Sequence, residues 1–269
     1  MNLTKILTAV LLVASLFLAF RLYRSVQGTI EERELITSTE TAIIEKLKLI
    51  REAEIVFHSV NGRYTANLDS LTSFIENGQV PIIQRREIIT QKSYGVEDVQ
   101  VIIDTLGFVA AKEKIYKKDY TVNASDNGIF MGFKVKIGNK VIKNQKAYSI
   151  KVGDKVNEPP FQDQGTVTKQ ESVNVGDELK KGQSLMGLSE YIFDPNTNLK
   201  TLGDVPGQTG LKFEIFAGQV DKSGLKVDVI EVKDPKPINP TRKESNEAKN
   251  RKPLHFGSRF DVSTSGNWE

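Results

Sequence analysis

The sequence predicts an α+β protein: an N-terminal transmembrane helix that continues into a long amphipathic helix, then a mostly antiparallel β domain and a disordered C-terminal tail. Three features of the pattern predict this order. The uninterrupted apolar run 6–20 leads without a visible break into the stretch 29–60, whose apolar residues have helical spacing. Beyond Pro81, short segments of alternating apolar and polar residues are bounded by turn residues. From Asp234, proline and charged residues replace apolar ones.

These changes in pattern divide the chain into four predicted segments. They are a transmembrane anchor (1–28), an amphipathic helix with a short second helix (29–76), an antiparallel β-rich domain (77–233) and a flexible tail with an aromatic end (234–269). The composition, 39% hydrophobic and 26% charged, is typical of a protein with a packed core. A net charge of +3 argues against nucleic-acid binding by the whole chain. The absence of cysteine excludes disulfides, thiolate metal sites and thiol nucleophiles.

The apolar run predicts a membrane anchor that is not cleaved. It is shorter than the roughly 20 residues that cross a bilayer, and Arg21 and Arg24 would lengthen it by reaching toward the lipid headgroups. A cleaved signal peptide is the alternative, because Lys5 supplies a charged start, but no Ala-x-Ala site follows. The anchor residues are Ile6, Leu7, Leu11, Leu12, Leu16, Phe17 and Phe20.

We therefore expect a single-pass protein of the cytoplasmic (inner) membrane, in contact with the lipid bilayer. The charges that flank the run give little help with orientation, because Lys5 and the α-amine balance Arg21 and Arg24. The expected orientation places the large C-terminal domain in the periplasm or elsewhere outside the cytoplasm.

The amphipathic helix has an apolar stripe with a seven-residue repeat. One interpretation is a helix that packs this stripe on its own domain, and the other is a coiled-coil seam between copies. Glu40 and Glu54 occupy the alternate core positions of such a seam, which favours packing on the same chain. The stripe consists of Ile36, Ile43, Ile50 and Phe57.

A predicted turn follows the helix. Glycine readily adopts the left-handed conformation that caps a helix, so Gly62 is expected to end it, with Arg63 and Tyr64 forming the turn. Leu68 and Leu71 then fall on the apolar side of a short second helix.

This helix end resembles that of the type IV pilins and the type II secretion pseudopilins. Their helix commonly finishes in a Gly-Arg-Tyr-Pro-like turn before a short Leu-x-x-Leu helix, and here Gly62-Arg63-Tyr64-Thr65 and the segment 68–71 stand in those places. The resemblance covers roughly the first 75 residues in architecture and about 20 in sequence, a motif of modest specificity. It implies a long membrane-embedded helix ahead of a small antiparallel sheet. The pilin processing site is missing, because no acidic residue interrupts the run 6–20.

The β-rich domain is predicted from alternation and turn residues. Gly138-Asn139 predicts a hairpin turn into Lys140, and the segment 221–224 predicts a turn between the last two strands. The span 174–210 is rich in Gly, Asp, Asn and Pro and predicts long loops with one more strand. The predicted strands are 99–103, 108–111, 129–137, 141–150, 166–173, 211–216 and 225–232.

The end of the tail carries apolar and aromatic residues after a polar stretch. Such a segment can dock into a groove or onto a sheet of a partner protein, and the alternative is a frayed terminus. The predicted docking residues are Leu254, Phe256, Phe260, Val262 and Trp268, the only tryptophan.

The sequence contains no catalytic, cofactor-binding or metal-binding signature. The two histidines, His58 and His255, lie in the helix and in the tail, so one chain offers no His-based triad and no two-histidine metal site. Asp194-Pro-Asn196-Thr-Asn198 begins like a calcium loop, but Leu199 stands where that loop needs glycine, which favours an Asx-rich turn.

The sequence therefore predicts a non-enzymatic, single-pass bacterial envelope protein that acts as a structural or scaffolding subunit of a membrane-associated assembly. Protein partners are expected through the stalk helix and the C-terminal tail, with no nucleic acid and no small-molecule cofactor. One alternative is an anchored ligand-binding or cell-wall-binding module that uses the loops 174–210. The other is a hydrolase that uses carboxylates or a serine.

Overall fold

One helix, α1, runs without interruption from Leu3 to Asn61 and dominates the N-terminal part of the protein. The structure, a computed structural model, describes residues 3–92, 96–240, 242 and 252–269, and side chains from residue 11 onward except 89–92 and 96–99. Every pairing between the described strands is antiparallel. The α+β class, with a long N-terminal helix followed by antiparallel sheets, is confirmed.

The chain folds as two compact units, and their segments interleave along the sequence. Unit 1 comprises Met1–Glu54, Arg63–Leu68 and Lys200–Glu269. Unit 2 comprises Ile55–Gly62 and Asp69–Leu199.

Unit 1 combines most of α1 with a three-stranded sheet. The sheet order is β11-β12-β13, with β11 at Glu214–Lys222, β12 at Leu225–Lys233 and β13 at His255–Gly257. The predicted turn between the first two of these strands is confirmed, since Lys222 pairs with Leu225 and the N–H of Gly224 donates to the Asp221 carboxylate at 2.8 Å.

The apolar stripe of α1 is buried within the same unit. Ile43, Leu47 and Ile50 are completely buried, so their burial on the protein itself agrees with the packing interpretation over a coiled-coil seam. The ammonium group of Lys46 donates to the backbone carbonyls of Thr201 and Asp204, at 2.6 and 2.8 Å. These hydrogen bonds connect α1 to the segment that precedes β11.

Unit 2 contains two short helices, a two-stranded ribbon and two four-stranded sheets. The helices are α2 (Leu68–Asn77), which belongs to this unit from Asp69 onward, and α3 (Ala111–Tyr116). The ribbon consists of β1 (Gln79–Lys92) and β2 (Val96–Ala110). One four-stranded sheet has the order β3-β10-β8-β5, with β3 at Lys117–Asn123, β10 at Ser184–Tyr191, β8 at Gly165–Gln170 and β5 at Lys140–Val141. The other has the order β7-β6-β4-β9, with β7 at Lys155–Asn157, β6 at Tyr148–Val152, β4 at Gly128–Phe133 and β9 at Glu178–Leu179.

The two four-stranded sheets share one apolar core. Phe130 and Ile150 come from the second sheet, Val167 and Leu188 come from the first, and all four side chains are at most 1% exposed. Burial of side chains of this size is worth about 1.5–3 kcal/mol each, so the sandwich that the two sheets form contributes substantially to the stability of unit 2.

A repeated segment builds the two sheets in the same way. Residues 137–148 (IGNKVIKNQKAY) and 175–186 (VGDELKKGQSLM) align without a gap, and the second residue of each is a glycine with a positive φ. The Asn139 and Asp177 side chains each accept a backbone N–H three residues earlier, both at 2.8 Å. The Gln145 and Gln183 side chains likewise each accept an N–H three residues earlier, at 3.2 and 3.0 Å. Equivalent side chains therefore close equivalent turns.

The repeat explains why the predicted hairpin at Gly138-Asn139 is wrong. The Gly138 N–H donates to the Val167 carbonyl at 2.8 Å, and the Val167 N–H donates to Asn139 at 2.9 Å. The turn consequently delivers β5 to β8 of the other sheet, and not back to β4. The equivalent turn of the second copy delivers β9 to β4.

The predicted disordered tail is wrong for residues 252–269. Here β13 pairs with β12, placing Phe256 opposite Val232, and Phe256 forms a further bridge with Gly266. Leu254 and Phe256 are at most 1% exposed, so this end of the chain completes the core of unit 1.

Candidate functional site

The apolar N-terminal part of α1 is exposed along the length that the structure describes. Between Leu11 and Phe20 every large apolar side chain is at least 59% exposed, while Ile6 and Leu7 of the predicted anchor lie outside the described side chains. Within the described residues, no helix has a stretch that is both apolar enough and long enough to cross a membrane. The transmembrane anchor therefore stays a prediction. The exposed anchor residues are Leu11 (60%), Leu12 (59%), Leu16 (61%), Phe17 (61%) and Phe20 (62%).

The environment of α1 changes near Thr39. Leu35 is still 61% exposed, whereas Thr39 is 8% exposed and Ile43 is completely buried. The helix thus has an uncovered apolar part before this point and a part packed in unit 1 after it.

The predicted turn lies directly after α1. Gly62 has a φ of 68°, and its N–H donates to the His58 carbonyl at 2.8 Å, which closes the last turn of the helix. Arg63 is exposed and Tyr64 is half-buried. Burial is the main cause that raises the pKa of the Tyr64 phenol, and the charge of Glu54 adds to it.

Glu54 is a buried carboxyl group in unit 1. It is 1% exposed, and its Oε2 accepts the N–H of Thr65 at 3.1 Å. Its Oε1 has no hydrogen-bond partner among the described residues. Burial raises the pKa of Glu54 to about 8, because the ionised form has lost its hydration, and the Thr65 hydrogen bond offsets only part of this effect.

The structure separates the five predicted docking residues into different environments. Leu254 and Phe256 are buried in their own unit, so neither side chain is available to a partner. Phe260 and Val262 are 80% and 60% exposed, and Trp268 is half-buried. Only Phe260 and Val262 therefore present a large apolar surface to solvent.

Trp268 and the last residue of the chain contact α1. The guanidinium of Arg51 donates to the Glu269 side chain at 2.5 Å and lies 5.7 Å from the centre of the Trp268 ring. The chain end is thus held on the helix by an ion pair and a cation–π contact.

Two open clefts in unit 2 were not predicted from the sequence. The first, of about 710 Å³, includes Lys146 and Glu158 in its lining. Glu158 accepts hydrogen bonds from Lys146 and from Lys134, the latter at 2.8 Å, and these bonds lower the pKa of Glu158 to about 2. The second, of about 560 Å³, is lined partly by Lys117, Lys140 and Tyr191.

The second cleft places cationic groups beside an aromatic ring. The ammonium group of Lys117 lies 4.7 Å from the centre of the Tyr191 ring and also forms an ion pair with Glu113. This site could not be predicted from the sequence, because Lys117, Lys140 and Tyr191 are far apart along the chain and meet only when β3, β5, β8 and β10 form their sheet.

The residues considered for metal binding do not form a site in the described part of the chain. There, no group of three or more His, Asp or Glu side chains is arranged to hold a metal ion. The Asp194 carboxylate accepts the N–H of Asn196 at 2.9 Å, which is an Asx turn. His58 lies in α1, while the Nδ1 atom of His255 lies 2.8 Å from the Pro253 carbonyl oxygen.

No protein-family model matches the sequence, and no curated protein matches it at a significant level.

Proposed function

We propose that the chain is a non-enzymatic, single-pass bacterial envelope protein and a structural or scaffolding subunit of a membrane-associated assembly. The observation that carries the proposal is the uncovered apolar part of α1, in which every large side chain from Leu11 to Phe20 is at least 59% exposed. Soluble proteins rarely leave a contiguous apolar surface of this kind in water, and a lipid bilayer is the environment that would cover it on all sides.

The continuity of α1 supports the scaffolding role. The same helix carries the exposed apolar part and, after Thr39, the stripe buried in unit 1. A bilayer-embedded helix would therefore hold a folded unit at the membrane surface without a flexible linker. The turn at Gly62 and the short helix after it keep the order of elements that the pilin resemblance implies. We place the protein in the cytoplasmic membrane, with the folded units outside the cytoplasm.

The membrane part of the proposal is tested by charged substitutions in the uncovered part of α1. Leu12→Lys with Leu16→Lys places two ammonium groups one helical turn apart, each costing about 2.5–3.5 kcal/mol at the centre of a bilayer. The matched control is Thr37→Lys with Thr41→Lys, at exposed positions with the same spacing. The proposal predicts that the first variant leaves the membrane fraction and that the control remains there. Equal distribution of the two variants would contradict it.

A contact surface for a protein partner is proposed at Phe260 and Val262. Both side chains are exposed, although the backbone around them is held by hydrogen bonds, such as Ser263 N–H to the Asp261 carbonyl at 2.9 Å. A rigid exposed aromatic residue loses little side-chain entropy on binding, which makes it an effective anchor in a protein interface.

A membrane-anchored binding module is the second candidate, favoured by the cleft of about 560 Å³ in unit 2. Lys117 and Lys140 give it positive charge and Tyr191 gives it an aromatic surface, a combination suited to an anionic sugar of the cell wall. Binding of soluble wall fragments that is lost in Lys140→Ala and kept in Lys143→Ala would support this candidate. Lys143 is exposed and outside the lining, so the control removes the same charge. Absence of binding to the unmodified chain would rule the module out.

A further inference from the structure

The β1–β2 ribbon is a sheet of only two strands, although its strands are the longest in the described chain. β1 has 14 residues and β2 has 15, and within the described residues each pairs only with the other. An isolated two-stranded hairpin is marginally stable in water, because it can bury little apolar surface. Each strand also leaves one row of backbone N–H and C=O groups without a strand partner.

Exposed apolar side chains lie on both faces of the ribbon, and more of them lie on one face than on the other. The strand pairs of the ribbon include Pro81 with Phe108, Arg85 with Ile103 and Glu87 with Val101, which place these side chains on a common face. On the opposite face Val80 is buried, Ile82 and Ile88 are each 48% exposed, and Arg86 forms an ion pair with Asp104. The exposed apolar residues of the first face are Ile83 (56%), Val101 (41%), Ile103 (61%) and Phe108 (65%).

The two strands carry opposite charge. The basic residues of β1 are Arg85, Arg86 and Lys92, against the single acid Glu87. β2 contains no basic residue, and its acids are Glu97, Asp98 and Asp104.

This partition of charge selects between the ways in which two copies could join their free edges. Pairing β1 with β1, or β2 with β2, places like charges opposite one another, which destabilises a sheet. Pairing β2 of one copy with β1 of the next places acidic residues beside basic ones. Because β1 and β2 are antiparallel, two copies side by side in the same orientation make this new pairing antiparallel as well.

We propose that the ribbon is a self-association surface, at which the free edge of β2 in one copy pairs with the free edge of β1 in the next copy. Arg86 then lies between Asp104 of its own chain and Asp104 of the neighbouring copy, so the ion pair extends into a ladder. The exposed apolar residues of neighbouring copies become continuous on each face of the extended sheet. The contact is head-to-tail, so it can join more than two copies. The inference names the partner in the assembly proposed above and rests on that function.

The absence of cysteine gives a direct test of which edges meet. In the full-length chain in detergent, Ile83→Cys and Thr105→Cys each introduce a single thiol on the same face and at the same level of the ribbon, on β1 and β2 respectively. When equal amounts of the two proteins are combined and oxidised, disulfides form between two different variants (mixed product) or between two copies of the same variant (like product). Random collision gives the two products in statistical proportion. Our proposal predicts about fivefold more mixed product than that, from the difference between opposite-charge and like-charge cross-strand pairs.

Charge variants separate edge pairing from non-specific contact. Asp104→Arg should reduce the mixed product to the statistical proportion, and the exchange Arg86→Asp with Asp104→Arg should restore it, because it restores the alternation of charge. Formation of an intrachain disulfide by Ile83→Cys with Thr105→Cys in one chain shows that the ribbon is still folded, since cross-strand Cα separations of about 4.5–5.5 Å suit a disulfide. Statistical product from the unaltered charges, or excess like product, would overturn the proposal. Membrane fractionation of the cells before detergent is added reports on the anchor separately, so failure of self-association can be distinguished from failure of the proposed membrane location.

Discussion

The Oε2 atom of Glu54 accepts the backbone N–H of Thr65 at 3.1 Å, and this is the one hydrogen bond of that carboxyl group in the described structure. The group is 1% exposed and its pKa is raised to about 8. It is therefore protonated in the folded protein over a range of pH in which it ionises in the unfolded chain.

Glu54 should make the protein less stable as the pH rises. Between its unfolded pKa near 4.5 and its folded pKa near 8, the folded state binds the proton that the unfolded state has lost. The free energy of unfolding should consequently fall by about 4 kcal/mol between pH 5 and pH 9. Glu54→Gln should remove most of this dependence, as measured by urea denaturation. The control Glu45→Gln, at an exposed position of the same helix, should keep it, and an unchanged dependence in Glu54→Gln would contradict the assignment.

Arg51→Ala should release the end of the chain from α1. Arg51 contacts both Trp268 and Glu269, and its loss should cost about 1 kcal/mol, because one cation–π contact and the partly exposed ion pairs with Glu52 and Glu269 disappear. Trp268 is the only tryptophan, so the tryptophan fluorescence of the protein reports on the environment of this one side chain. We expect a shift of emission to longer wavelength in Arg51→Ala and none in Lys48→Ala. Identical spectra would show that Trp268 is not held by Arg51.

Gly257→Ala should be much more destabilising than Gly224→Ala. Both glycines have a φ near 80°, so both substitutions carry the strain of a left-handed alanine, about 1 kcal/mol. A Cβ atom at Gly257 would also lie 2.0 Å from the Ile230 carbonyl oxygen, whereas nothing lies within 4 Å at Gly224. Thermal unfolding should show a clearly lower melting temperature for Gly257→Ala. Equal losses would mean that β13 does not pack on β12 as described.

Phe260→Ser with Val262→Ser should abolish co-purification of a protein partner without unfolding the chain. Both side chains are mostly exposed, so their loss removes little buried surface from the protein itself. Leu225→Ser is the matched control, because Leu225 is 71% exposed in the same unit. The same co-purified proteins from all variants would remove the docking proposal at this segment.

The helices α1 and α2 could be predicted from local pattern, and so could one hairpin, whereas α3 was not predicted. The apolar stripe through Ile43 and Ile50 has the period of a helix, and the turn at Asp221 to Gly224 contains the residues that its geometry needs. These features depend on residues that are close in sequence.

The remaining features depend on distant residues. The turn at Gly138-Asn139 has hairpin residues, but its backbone groups bond to Val167, and only the sandwich core decides that choice. The similarity of residues 137–148 to residues 175–186 can be recognised from the sequence alone, and it indicates two segments with equivalent structures. The burial of Leu254 and Phe256 could not be predicted, because the polar stretch before them is typical of a disordered segment. No local pattern shows that β13 pairs with β12.

Alkaline carbonate extraction of membranes that contain the full-length protein tests the central claim most directly, provided that the N-terminal sequence of the recovered material is determined. Carbonate removes proteins bound to the membrane surface and leaves those with an embedded helix. Our account predicts that the chain stays in the membrane pellet with residues 1–28 intact. Full-length chain recovered in the soluble extract, or a chain that lacks the apolar run, would contradict it.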